Sequence, residues 1–251
     1  MRKSGETGGE QVGGMDFAPL DLAPAEIDVQ KTPEGGYLLR SPKALEPYEE
    51  SLGVMFRRWV GESPGRTFLG ERDASGAWRT VTWGEAGRLA DSVAQALIDR
   101  RMGPERTVMI LSGNSIDHAL LMLGGFISGV PVVPVSVAYS LLSQDFAKLK
   151  SIFREVRPAL VFAENAEMFS RALKALDLAG VEVVAGRGSV DGIPVTPFSS
   201  FLATVPTELV AKAFAAVRPD SVAKVLFTSG STGLPKGVIN THGMLCSNQQ
   251  M

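Results

Sequence analysis

The chain has 251 residues, 45% of them hydrophobic and 21% charged, and its 25 basic and 27 acidic side chains leave a net charge near -2. This is globular composition, long enough for one large core or for a domain and part of a second, and so even a charge balance excludes the basic field that nucleic acid needs. A single cysteine, Cys246, excludes an intramolecular disulfide and points to a reducing, cytoplasmic setting, and two histidines beside it make no zinc set.

Residues 1–47 are rich in Pro, Gly and Glu with little periodicity, and read as a flexible tail and lead-in. The opening "MRKSGETGGEQVGGM" has no apolar segment after its charges, so it is no secretory signal. A helix is expected through "SLGVMFRRWV", with Arg57 and Arg58 on a solvated face. "TFLGER" and "AWRTVTW" flank the turn-rich "DASG" and predict a hairpin. Thr82-Trp83-Gly84-Glu85 has the capping-box spacing of a hydroxyl and a carboxylate three residues on, and should open a helix that stops near Gly103. Trp59, Trp78 and Trp83 read as packing anchors.

From there short apolar runs alternate with helical patterns. "TVMILSG", "VPVVPV", "ALVFA" and "VEVVA" read as strands, and "SIDHALLMLGGFISG", "SQDFAKLKSIFREV" and "NAEMFSRALKALDLAG" as the helices between them. Continuous apolar strands in such an alternation predict an α/β fold whose mostly parallel sheet is covered on both faces. Ala119 to Gln144 carries no charge and is long enough to span a bilayer. Its prolines at 131 and 134, and the absence of flanking lysine or arginine clusters, favour a buried helix followed by a buried strand. Residues 186–217 read as loop with one or two short helices, and "VAKVLF" as a last buried strand.

That strand delivers the chain into "TSGSTGLPKG", Thr228 to Gly237. Glycines let backbone N–H groups close on an anion, and hydroxyls add donors that can also face a magnesium ion. Lys236 supplies a point charge for phosphate oxygens, and Pro235 stiffens the approach to it. The common NTPase loop, G-x-x-x-x-G-K-[ST], is not matched, because Pro235 stands five residues after Gly230 and Gly237 follows the lysine. A dinucleotide G-x-G-x-x-G turn and a G-x-S-x-G nucleophile elbow are also missing.

In residue order, "LFTSGSTGLPKGV" resembles the signature phosphate loop of the AMP-forming adenylating superfamily of acyl- and aryl-CoA ligases, luciferases and peptide-synthetase adenylation domains. "GFISGVPVVPVSVAYS" and "VTWGEAGRLADSVAQAL" are similar to segments upstream of that loop, so the resemblance runs from about Leu52 to Met251. Within the superfamily "KVLFTSGSTGLPKGVINTHGMLCSNQQM" is most similar to the feruloyl-CoA synthase group, which commonly reads "INTHRMLC"; Gly243 departs from that pattern.

The resemblance implies activation of a carboxylate by MgATP to an acyl-adenylate, then thioester formation with CoA, the acid being a hydroxycinnamate such as ferulate. It implies that Thr228, Ser229, Gly230, Ser231, Thr232 and Lys236 contact the ATP phosphates, and that Gly233 and Gly237 permit the turn. It also implies that 48–251 is the N-terminal portion of an adenylation domain, with the catalytic residues and a small C-terminal domain beyond Met251. The chain alone is therefore not expected to complete the reaction. The implied partners are an aryl acid, ATP and CoA, with no nucleic acid, no membrane span and no protein-held metal site. Two other readings stay open: adenylation with another acid or acceptor, as in peptide synthetases, and an inactive nucleotide-binding fragment. His242 is either close to a phosphate or a local hydrogen-bonding partner at a helix start. His118 beside Asp117 reads as structural, and Cys246 as a small core residue.

Overall fold

The structure, a computed structural model, describes residues 26–73, 75–228 and 233–251. The chain divides into two units, Met1–Leu45 and Glu46–Met251. In the first, within the segment read as lead-in, β1 (Asp28–Lys31) and β2 (Tyr37–Arg40) pair antiparallel, with every residue of both strands exposed.

The second unit opens with α1 (Leu52–Glu62), the hairpin β3 (Thr67–Arg72) and β4 (Trp78–Thr82), and α2 (Trp83–Asp99). The α/β alternation follows: β5 (Val108–Leu111), α3 (Ile116–Ser128), β6 (Val132–Val135), α4 (Val137–Ser140), α5 (Ala147–Val156), β7 (Leu160–Asn165), α6 (Ser170–Lys174) and β8 (Glu182–Arg187). Then come β9 (Val195–Pro197), α7 (Ser199–Leu202), α8 (Glu208–Ala216), β10 (Val222–Thr228), β11 (Lys236–Thr241) and α9 (His242–Gln250). Seven strands form one sheet in the order β11-β10-β6-β5-β7-β8-β9, parallel throughout except for the antiparallel pair β10–β11. This is the expected mostly parallel α/β sheet with helices on both faces.

Strand parity divides the core in two. Val108 and Ile110 of β5, Leu160 and Phe162 of β7 and Val184 of β8 face a layer built on α2 and α3. Met109, Leu111, Val161, Ala163, Val183 and Ala185 face the opposite layer with α5 and α6. Side chains alternate along a strand, so an unbroken apolar run serves two cores at once.

Local sequence fixes the helix limits. The capping box is formed: Glu85 N–H donates to Thr82 Oγ1 at 3.2 Å and Thr82 N–H to Glu85 Oε2 at 2.8 Å. That Thr82 N–H, foremost, holds the Glu85 carboxyl below the usual carboxylate range. Ser115 caps α3 through His118 N–H, and Gly129 ends it with a left-handed φ of 70°. α2 is the centre of the first layer, with Ala86, Ala90, Val93, Ala94, Ala96 and Leu97 fully buried. Buried Gln95 accepts from the Thr207 N–H and Oγ1, each at 2.8 Å, and so ties α8 to α2. Arg100 at the end of α2 donates to both oxygens of Glu182 and lies 4.1 Å from the Phe201 ring centre.

Several expectations are corrected. The helix expected over 165–180 is helical only at Ser170–Lys174: Asn165 Oδ1 accepts from Met168 N–H, turning the chain as β7 ends. β10 has one fully buried residue, Ala223, and is not the last strand, since β11 follows it. Trp78 is 63% exposed and lies under Arg72 rather than in the core, whereas Trp83 stacks on Phe68 with ring centres 3.7 Å apart. Arg57 is not simply solvated: it is paired with both oxygens of Asp91 on α2 and lies over Phe214. Arg58 pairs with Glu49 at 3.1 Å. The uncharged Ala119–Gln144 stretch is the expected buried helix and strand, and no helix among the described residues is long and apolar enough to cross a membrane.

The α2–α3 contact depends on Gly124. A Cβ there would stand 2.4 Å from Val93 Cγ1 and 3.1 Å from the Ala94 backbone nitrogen, so the helices would have to part. Gly124→Ala is expected to destabilise the fold by about 1–3 kcal/mol, the usual cost of overpacking, read as a lowered denaturation midpoint at unchanged slope.

Candidate functional site: the β10–β11 hairpin

The Gly/Ser/Thr loop spans the end of a hairpin rather than a strand-to-helix turn. Thr228 closes β10, Lys236 opens β11, and the two are paired in register. Directly opposed residues of an antiparallel pair project from the same face about 5 Å apart. A hydroxyl and an ammonium, both exposed, therefore stand together where the loop begins and ends. Ser229, Gly230, Ser231 and Thr232 lie outside the described residues. Gly233 is exposed with no neighbour within 4 Å of where a Cβ would be.

Gly237 does not serve the turn. It lies inside β11 opposite Phe227, and a Cβ would meet the Phe227 ring at 3.2 Å and Val225 Cγ1 at 3.3 Å. Its missing side chain leaves room for the Phe227 ring across the ladder. Pro235, immediately before Lys236, is buried.

Because β10 is parallel to β6, β5 and β7, the hairpin loop lies at the carboxyl edge of the sheet. Between β5 and β7 the connections diverge, one to β6 and the other to β8, and open α/β sheets bind ligands at such switch points. Sequence reasoning missed the polar network found there. Glu164 Oε2 accepts from Ser112 Oγ at 3.2 Å and from Gly113 N–H at 3.1 Å, with Arg187 3.7 Å from its other oxygen. Arg79 pairs with Glu71 at 2.9 Å and Asp117 at 3.2 Å, while Glu71 also accepts from Ile116 N–H. A lone carboxylate at each strand or helix end carries no motif, so nothing in the sequence singles these groups out. His118 Nδ1 donates to Gly113 O at 3.0 Å, which orients the ring within this network and fits its structural reading.

His242 stands apart from phosphate chemistry. It is fully buried, its Nδ1 accepts from Leu52 N–H at 3.3 Å, and its ring meets Phe126 edge-on at 5.6 Å. It is thus a long-range clamp between α9 and α1, rather than either a phosphate neighbour or a local partner. Burial lowers its pKa from 6.5 to about 4. Cys246 is buried, and that burial, ahead of the nearby Glu49 charge, raises its thiol pKa, as fits a core residue.

The model of the family described as AMP-binding enzyme matches residues 56–251. The chain is 29% identical over 171 residues to Nonribosomal peptide synthetase 32 of Fusarium pseudograminearum, covering 67% of this chain and 2% of that protein. It is 28% identical over 246 residues to Long chain acyl-CoA synthetase 6, peroxisomal, of Arabidopsis thaliana, covering 92% and 34%. Among solved structures, Acetoacetyl-CoA Synthetase from Streptomyces lividans superposes with a TM-score of 0.66 at 19% identity, covering 80% of this chain and 31% of that one. The chain thus spans about a third or less of the length of these relatives.

A neutral buried His242 makes stability depend on pH. Its folded pKa lies below the unfolded value, so its contribution is complete above about pH 6.5 and is lost as the pH falls toward 4. Between pH 7.5 and 5.0 the wild type should lose about 2 kcal/mol from this group. His242→Asn should lose correspondingly less over the same interval, which paired denaturant titrations at the two pH values would measure.

Proposed function

The chain belongs to the AMP-binding enzyme family, and from that membership we propose that it supplies the phosphate-binding part of an enzyme that activates an aromatic carboxylic acid with ATP and passes it to CoA. The observation that carries this reading is the paired Thr228 and Lys236 at the mouth of a Gly/Ser/Thr loop on the open carboxyl edge of the sheet. There the ammonium of Lys236 would hold the β- and γ-phosphate oxygens. The hydroxyls of Thr228, Ser229, Ser231 and Thr232, with the backbone N–H groups around Gly230 and Gly233, would bind the same anion. Such groups act by stabilising charge on departing pyrophosphate, not by moving a proton. A magnesium ion fits this donor set, since hydroxyl and phosphate oxygens are its usual ligands; when bound it would offset phosphate charge.

The acid is proposed to be a hydroxycinnamate such as ferulate, on the residue order of Ile239 to Cys246, and the acceptor to be CoA, in the cytoplasm. Residues 48–251 would form the N-terminal portion of the adenylation domain, and the residues that handle the acid and the adenine would lie beyond Met251. A second reading, adenylation with a different acid or acceptor, is supported by the likeness to a nonribosomal peptide synthetase.

ATP–pyrophosphate exchange tests both. Driven by a panel of aryl, alkyl and amino acids in an enzyme carrying this chain, exchange should respond best to hydroxycinnamates; a response to fatty or amino acids alone would reject that substrate class. If Lys236 provides one charge-assisted hydrogen bond, worth about 1.5–3 kcal/mol, Lys236→Ala should slow exchange roughly ten- to hundredfold. Unchanged exchange would remove Lys236 from the phosphate site. The 251-residue chain by itself is expected to form no thioester.

A further inference from the structure

On the α5 side of the sheet a cleft of about 1170 Å³ runs between α5, the segment after α6 and the chain leading into β5, β7 and β8. Four cations line it: Arg106, Lys150, Arg154 and Arg157. None of the four forms an ion pair with a carboxylate of the described residues, which is also true of most other basic residues there. Lys150 and Arg154 each give one hydrogen bond to a backbone carbonyl, of Asp145 and Lys150, which tethers their stems and leaves further donors free. Phe153, Leu176 and Val181 provide apolar lining.

Arg157 is one of three non-glycine residues at positive φ among the described residues, with Arg101 and Phe146. It caps the C-terminus of α5 with φ 48°, a left-handed position where glycine is the ordinary and less strained choice. A side chain kept at strained backbone is a pointer to function, and Arg157 lines the cleft. Three carboxylates, Glu105, Asp145 and Asp177, also line it. They disfavour a ligand that is anionic over its whole surface and suit one with hydroxyl or amino donors beside its phosphate.

We propose that this cleft is a second ligand site, separate from the hairpin loop, that binds a nucleoside phosphate: the guanidinium groups hold the phosphate, the carboxylates take hydroxyl or amino donors, and the apolar lining covers the base. Leu234, two residues before Lys236, also lines the cleft, so an occupant would touch the base of the hairpin loop.

The test is calorimetric titration of the 251-residue chain with AMP, adenosine, inorganic phosphate and an acidic peptide at fixed ionic strength. It is run in the wild type, Arg106→Ala, Arg157→Gly and Arg157→Lys. AMP should bind in the wild type, and adenosine should bind at least tenfold more weakly. Arg106→Ala and Arg157→Gly should each weaken AMP binding roughly ten- to hundredfold, as loss of a charge-assisted hydrogen bond does, while Arg157→Lys stays within a few-fold. Arg157→Gly should melt no lower than the wild type, because glycine suits that φ, which separates loss of ligand from loss of fold. Equal AMP affinity in Arg106→Ala and Arg157→Gly would overturn the proposal. So would phosphate or the acidic peptide binding as tightly as AMP. Because the adenylation reading turns on Lys236 and this one on Arg106 and Arg157, the two fail separately.

Discussion

Four residues, Val108 to Leu111, impose the constraint from which the rest of the second unit follows. They pair with β6 on one side and β7 on the other, and all are fully buried. A strand so placed must be covered on both faces, because its side chains alternate between them. Val108 and Ile110 need α2 and α3, Met109 and Leu111 need α5 and α6, and the parallel partners must be reached by helical crossovers. The carboxyl edge that this arrangement leaves open is where the hairpin loop and the Glu164 network are found.

That layout was legible because burial on both faces leaves a continuous apolar run, and coverage by helices leaves 3.6-residue periodicity. The capping box at Thr82 and Glu85 was equally legible, since its chemistry is contained in four residues. β11 was not. "KGVINT" is rich in β-branched side chains, but its first four residues are exposed and no alternation marks a buried face. The helix over 165–180 failed for the opposite reason: its apolar spacing is helical, yet Asn165 turns the backbone first. Long-range partners were the other blind spot. The pairing of Arg57 with Asp91 and of His242 with Leu52 joins residues 34 and 190 apart, and neither partner carries a local signal.

Placing Lys236 on a strand alters what the phosphate loop is physically. A lysine at the start of a helix would be positioned by the helix's own turn. Here it is positioned by its ladder partner Thr228. Gly237 then has a packing role, since a Cβ there would crowd the Phe227 ring across the ladder at 3.2 Å. The loop is thereby anchored at both ends by backbone pairing at the sheet's outer strand.

Gly243, which departs from the "INTHRMLC" pattern, is explained by a geometry that the chain uses twice. At the start of α2, Trp83 N–H donates to Arg66 O and Gly84 N–H to Pro64 O, and a Cβ on Gly84 would lie 3.0 Å from that proline oxygen. At the start of α9, His242 N–H donates to Ser221 O and Gly243 N–H to Pro219 O, with the same 3.0 Å approach. In both, a threonine caps the helix and a glycine follows two residues later, satisfying N–H groups that a helix leaves without partners. The helix-interior penalty of about 1 kcal/mol for glycine therefore does not describe Gly243, which sits in the first turn and touches a neighbouring backbone. The contact brings Pro219, just ahead of β10, against the start of α9. It thus ties the segment that enters the hairpin to the helix that leaves it, and His242 extends the tie to α1.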